Sequence, residues 1–214
     1  MKYNGNTTLN EIVETVEKLV SIKTTPSNFD EFERAVSFIE KYFTGTSIKI
    51  KKHYFNKFPS LFISTTDSKN ASVLMQAHVD VVDGNESQFI PTIKNGKMYG
   101  RGTSDMKGFV AIAMKLILDY AQYSDKCNLA LLLTFDEEIG SENGAEKMKE
   151  LGYTGNLIIN GDAGYNYSII YGEKGILKIK MLLLKRIIGT QHIQYMILNL
   201  KTENNIPLIM PKQK

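Results

Sequence analysis

The chain has 214 residues, 43% hydrophobic and 23% charged, which suits one large globular domain or one and a half small ones. Its net charge of +3, from 26 basic and 23 acidic residues spread along the sequence, gives no footprint for nucleic acid or an acidic membrane surface. A single cysteine, Cys127, excludes a disulfide framework and a thiolate zinc finger.

The start, MKYNGNTTLN, has no apolar segment of a secretory signal, and no run approaches the roughly 18 apolar residues of a membrane helix. The expected compartment is the cytoplasm, with neither a membrane nor nucleic acid as partner.

Leu9, Ile12, Val13, Val16, Leu19 and Val20 recur at helical spacing, and Pro26 ends that element. Phe32, Ala35, Phe38, Ile39, Tyr42 and Phe43 mark a second amphipathic helix that stops near Gly45. Ser47–His53 and Pro59–Thr65 read as strands, and Ser72–His78 as a nearly continuous apolar strand of the kind buried on both faces of a sheet. Residues 91–108, with four glycines, are expected to be loop. A helix follows over Met106–Tyr123, then a buried strand over Leu129–Phe135, opened by Cys127 as a buried structural thiol. A short helix over Ala145–Leu151 and a strand over Leu157–Asn160 complete the pattern. Strands alternating with helices predict an α/β fold, a mostly parallel or mixed central sheet with helices on both faces. Right-handed crossovers bring successive strand exits to one edge of such a sheet.

The acidic and histidine residues fall at those exits. His78 closes the apolar run VLMQA, and Asp80, two residues on, can reach the imidazole or the site behind it. Asp105 sits in GRGTSDMKG, where a carboxylate on a glycine-pinned backbone can bridge cations, although it also suits the N-cap of the next helix. The spacing there matches neither GxxxxGK[ST] nor GxGxxG, which argues against a phosphate cradle. Asp136-Glu137-Glu138 follows the strand LALLLTF. Such a triplet ordinarily makes a solvated turn, yet next to other acids it needs a cation, and adjacent carboxylates can divide into metal ligand and general base. Asp162, in NGDAG, adds another acid at a strand end, where a turn aspartate is the plain alternative.

In this order and at these spacings, HVDVVDG, GKMYGRGTSDMKG, TFDEEIGSENGA and NGDAG resemble the M20 family of zinc metallopeptidases and amidohydrolases, over roughly residues 5–180. The resemblance implies a zinc-exopeptidase-like catalytic domain. In it His78 is a ligand of one zinc, Asp80 its orienting carboxylate, Asp105 the bridge between two metals, Glu138 a ligand of the second and Asp162 of the first. Glu137 is implied as the general base for water attacking an amide carbonyl in a small N-acyl amino acid or peptide. A cis peptide between Asp105 and Met106 is implied too. The cofactor is Zn²⁺, two ions in the complete family site and one expected here, with Co²⁺ or Mn²⁺ as substitutes.

The chain also departs from the family pattern. From Met181 the sequence is apolar but follows neither helical nor strand period cleanly, and His192 within it matches no family ligand. The expectation is a partial catalytic domain over residues 1–180. An aberrant tail over 181–214, set off by a shift of reading frame near Lys180, replaces the lid domain that commonly makes the family's homodimer. Weak or absent activity follows from that expectation, with a non-catalytic, metal-binding remnant as its alternative.

Overall fold

The computed structural model describes residues 5–121, 127–162, 180–188 and 191–199, the last two stretches as backbone. Contacts divide the chain into two compact units, residues 1–164 and 165–214. The boundary expected at residue 180 falls inside the second unit, at the start of a strand.

Helix α1 (Gly5–Val20) buries Val16, Leu19 and Val20, and α2 (Phe29–Tyr42) buries Phe32, Ala35, Val36 and Ile39; each set is the inward stripe of a 3.6-residue period. Asp30 and Glu31 in the first turn of α2 oppose its N-terminal dipole. Strands β1 (Lys49–Phe55) and β2 (Phe58–Ser64) form a hairpin whose two turn residues, Asn56 and Lys57, are both left-handed (φ 48° and 73°). Strand β3 (Asn70–His78) leads to a second hairpin, β4 (Thr92–Lys94) and β5 (Lys97–Tyr99), then to α3 (Gly108–Tyr120). Strand β6 (Leu129–Thr134), helix α4 (Ala145–Glu150) and strand β7 (Thr154–Asn160) finish the first unit. In the second unit, β8 (Lys180–Ile188) and β9 (Gln191–Asn199) pair as an antiparallel hairpin. Expected elements that extend past Ala121 or Asn199, and the His192 side chain, lie outside the described residues.

The sheet order is β1-β2-β6-β3-β7. Its β1/β2 and β2/β6 pairs are antiparallel, and its β6/β3 and β3/β7 pairs are parallel, so the α/β expectation holds with a mixed sheet. Helices cover both faces. Leu61, Ile63, Met75, Ala77, Leu131 and Leu133 face α1, α2 and α3 in the main core; the alternate residues Phe62, Leu74, Ala130 and Leu132 face Met148 of α4 and Tyr153. Each fully buried Leu, Ile or Phe of this kind contributes about 1.5–3 kcal/mol by leaving water.

Two sequence expectations need correction. Residues 92–99, read as loop, form the β4/β5 hairpin; Asn95-Gly96, left-handed at both positions (φ 52° and 70°), is the Asn-Gly turn signal that could have located it. Cys127 is half-buried and precedes β6 by two residues, so it does not open that strand.

Candidate metal centre

The three parallel strands β6, β3 and β7 end at one edge of the sheet, the usual place for a site in an open α/β sheet. His78 closes β3, paired in register with Thr134 at the end of β6. Glu137 and Glu138 lie on the turn that follows β6, and Asp162 lies two residues beyond β7. Asp105 arrives from the turn Thr103–Lys107 ahead of α3. There Asp105 (φ −128°, ψ 98°) and Met106 (φ −130°, ψ 33°) leave helical geometry, and the peptide joining them is cis, as the resemblance implied.

The five acids singled out as site residues in the sequence, Asp80, Asp105, Glu137, Glu138 and Asp162, meet around the imidazole of the sixth, His78. His78 is 2% exposed; its Nε2 lies 3.0 Å from Asp105 Oδ1, 3.6 Å from Asp162 Oδ1 and 3.9 Å from Glu137 Oε2. Its Nδ1 faces the Asp80 main-chain oxygen at 3.0 Å and Asp80 Oδ1 at 3.5 Å. Asp80 is fully buried, and its Oδ2 accepts the Glu138 backbone N–H at 2.9 Å, so one carboxylate ties the histidine to the acidic turn. Asp80 Oδ1 has no polar contact closer than the 3.5 Å to His78 Nδ1. Asp105 caps no helix: its carboxylate is 64% exposed and points at His78.

The ligand atoms form two triads, His78/Asp105/Glu138 and His78/Glu137/Asp162, each within 4.8 Å. The grouping that the resemblance implies for the first metal, His78 with Asp105 and Asp162, is close as well, with both carboxylates within 3.6 Å of His78 Nε2.

The electrostatics describe a site short of positive charge. Burial pushes the carboxyl of Glu137 up, His78 pulling back and Asp162 adding to the rise; burial likewise raises Glu138, with Asp105 adding to it. Burial also raises Asp162, opposed by His78 and reinforced by Asp105. Burial disfavours charge on His78, but the hydrogen bonds and charge of Asp80, with Asp162, outweigh it and raise the imidazole to about 10. A divalent cation fits this donor set. It would relieve the repulsion among the acids, and imidazole with carboxylates is a sulfur-free set suited to Zn²⁺.

Two further residues shape the site and gave little sign of it in the sequence. Asp136, fully buried, accepts the Asn143 N–H at 2.6 Å through Oδ2 and so folds the chain back after the acidic turn. Burial raises its carboxyl, partly offset by the Asn143 N–H. Lys107, also fully buried, passes beside Gly102, whose φ of 82° suits glycine and whose added Cβ would lie 3.0 Å from Lys107 Cδ. Burial pulls the Lys107 ammonium down to about 7, with the charges of Asp80 and Glu31 opposing.

Residues 74–193 match the family described as Peptidase family M20/M25/M40, and the chain belongs to that family. It is 33% identical over 144 residues to succinyl-diaminopimelate desuccinylase of Sulfurovum sp. (strain NBC37-1), covering 64% of this chain and 36% of that protein. It is 29% identical over 167 residues to the protein of the same name from Rickettsia rickettsii (strain Sheila Smith), covering 72% of this chain and 42% of that one. The chain thus spans well under half the length of these curated relatives. Its fold is similar to that of human carnosine dipeptidase 1, with a TM-score of 0.62 at 18% identity, covering 83% of this chain and 41% of that one. A similar likeness joins it to the M20 family metallo-carboxypeptidase Sso-CP2 from Sulfolobus solfataricus, with a TM-score of 0.60 at 22% identity, covering 82% and 41%. Among the described residues, no helix is long and apolar enough to cross a membrane.

Proposed function

We propose that this chain carries the metal-binding half-site of a hydrolase that cleaves an amide bond in a small N-acyl amino acid or peptide. The observation that supports this best is the convergence of Asp105, Glu137, Glu138 and Asp162 on a single buried histidine, at the carboxyl edge of three parallel strands.

Both triads draw on the same His78 Nε2, and one imidazole nitrogen binds one ion. A single well-held Zn²⁺, replaceable by Co²⁺ or Mn²⁺, therefore suits these residues, with His78, Asp105, Glu138 and Asp162 as the ligand pool. Asp80 fixes the orientation of the His78 ring and the backbone of Glu138. When bound, a divalent cation supplies Lewis-acid polarisation of a carbonyl and makes water a stronger acid. Glu137, 43% exposed at the rim and raised by burial, has the access and basicity to take a proton from attacking water and return it to the departing amine. The names of the relatives make succinyl-diaminopimelate the first substrate to test, ahead of other N-acyl amino acids and dipeptides.

The test pairs elemental analysis of purified protein with hydrolysis assays on wild type, His78→Ala and Glu137→Gln. About one zinc per chain, lost in His78→Ala, is expected. Glu137→Gln should keep the metal and lose about 10²–10⁴ in turnover. A well-folded wild type free of metal would refute the metal centre. Metal without turnover on any of these amides would favour a non-catalytic remnant.

A further inference from the structure

We infer that Lys107 is a positioning residue for Asp105, setting the distance between that carboxylate and His78. The inference rests on the reading of Asp105 and His78 as metal ligands. It starts from a lysine with 0% exposure, an unusual place for an ammonium, since a buried polar head must find partners. Lys107 Nζ finds two: it donates to Leu19 O at 2.9 Å and to Ile22 O at 2.8 Å. Leu19 O belongs to the last turn of α1 and also accepts the Ile22 N–H at 3.2 Å, and Ile22 O lies two residues past its end and also accepts the Thr24 N–H at 2.9 Å, so the ammonium adds a second donor to each. An ammonium has three N–H groups and an amine two, so both carbonyls are served in either protonation state.

The tie reaches the site through a short path. Asp105 has an open carboxylate, but the next two residues are fully buried. Met106 Sδ accepts the backbone N–H of His78 at 3.3 Å, and the Lys107 backbone N–H bonds Gly102 O at 2.8 Å. The connection after α1 grips the other side of the site as well. Thr24 Oγ1 donates to Val79 O at 2.6 Å, and Thr24 O accepts the Val81 N–H at 2.9 Å. One connection therefore holds residues 79–81 through Thr24 and residues 105–107 through Lys107. Asp105 and His78 meet at 3.0 Å because both their segments are fastened to it. Methionine, an unbranched apolar side chain one atom shorter, would fill most of the same space without fastening the turn.

The test compares Lys107→Met with Ile63→Ala, a core variant on β2 that pairs with Leu131, away from the site edge. Amide hydrogen exchange is followed in metal-free protein, and zinc affinity by competition with a chromophoric chelator. For Lys107→Met, wild-type protection in β3 and β6 is expected, with amides of residues 103–107 exchanging at least tenfold faster and zinc binding weakened about 10–100-fold. Ile63→Ala should lose thermal stability while holding zinc affinity within about twofold of wild type. If Lys107→Met fails to fold, Lys107→Gln carries the same comparison, its amide still able to reach one carbonyl. Unchanged exchange and zinc affinity in the Lys107 variant would overturn the inference, and so would equal zinc losses in both variants, which mark a purely structural role. A wild type that takes up no zinc would instead sink the metal-centre reading, and the metal-free exchange data would then decide the role of Lys107 alone.

Discussion

Asp80→Asn isolates the link between the histidine and the acidic turn. Asp80 is fully buried, so the isosteric amide fits the same space, and its oxygen can still accept the Glu138 N–H now held at 2.9 Å. The change falls on the other side. The oxygen 3.5 Å from His78 Nδ1 becomes an amide nitrogen, which offers a donor where the ring needs an acceptor. The Asp80 main-chain oxygen at 3.0 Å remains, so the ring keeps one anchor and loses the charge that makes it a better donor to metal. Loss of such a supporting carboxylate weakens metal binding about 10–100-fold, or about 1.4–2.8 kcal/mol. Zinc competition against a chelator reads the affinity, and a thermal melt of metal-free protein confirms the fold. A folded Asp80→Asn protein with zinc affinity within about twofold of wild type would refute the argument that Asp80 acts through His78.

Phe62→Ala should cost about 3–5 kcal/mol, because Phe62 is 1% exposed and packs 4.7 Å from the Tyr153 ring; a lower urea midpoint at constant slope would show it. His53 makes stability pH-dependent: burial, with Lys69 and Lys51, lowers its folded pKa, so the unfolded chain protonates first and the His53 contribution to stability is lost as pH drops below about 6.5. His53→Phe should therefore gain stability relative to wild type as pH goes from 7 to 5, and a constant difference between the two would contradict the assignment. Gly161→Ala would bring a Cβ to 2.3 Å from the Phe109 ring beside Asp162, so both stability, by about 1–3 kcal/mol, and zinc affinity should fall. Gly96→Ala, at φ 70° with open space around it, should cost about 1–2 kcal/mol and leave zinc affinity alone.

Much of the site could be read in the sequence because its residues sit beside strong local signals. His78 ends an apolar run, Glu137 and Glu138 follow another, and Asp105 lies among glycines. What periodicity cannot carry is partnership between strands. The insertion of β6 between β2 and β3, which makes one antiparallel and one parallel pairing, depends on residues far apart in the chain. The gathering of the acids around His78 follows from that order and from the turn before α3, not from spacing. Lys107 reads as a solvated charge beside a glycine, and only the packing of α1 against that turn reveals it as buried. Asn95-Gly96 is the reverse case, a plain turn signal in a stretch whose glycine content suggested loop.

The place of β6 in the sheet also governs how the chain can assemble during synthesis. Strand β2 leaves the ribosome early, yet its second partner is late: the side chains of Ser64 and Asn128, which bond across the start of that pairing, are 64 positions apart. At about 5–20 residues per second the wait lasts roughly 3–13 s. Through it β2, buried at every residue in the finished fold, has one unpaired edge, and β3 lacks its β6 neighbour. A nascent chain from which only residues before 129 have emerged should therefore engage holding chaperones far more strongly than one from which residue 134 has emerged, where a single strand closes both edges.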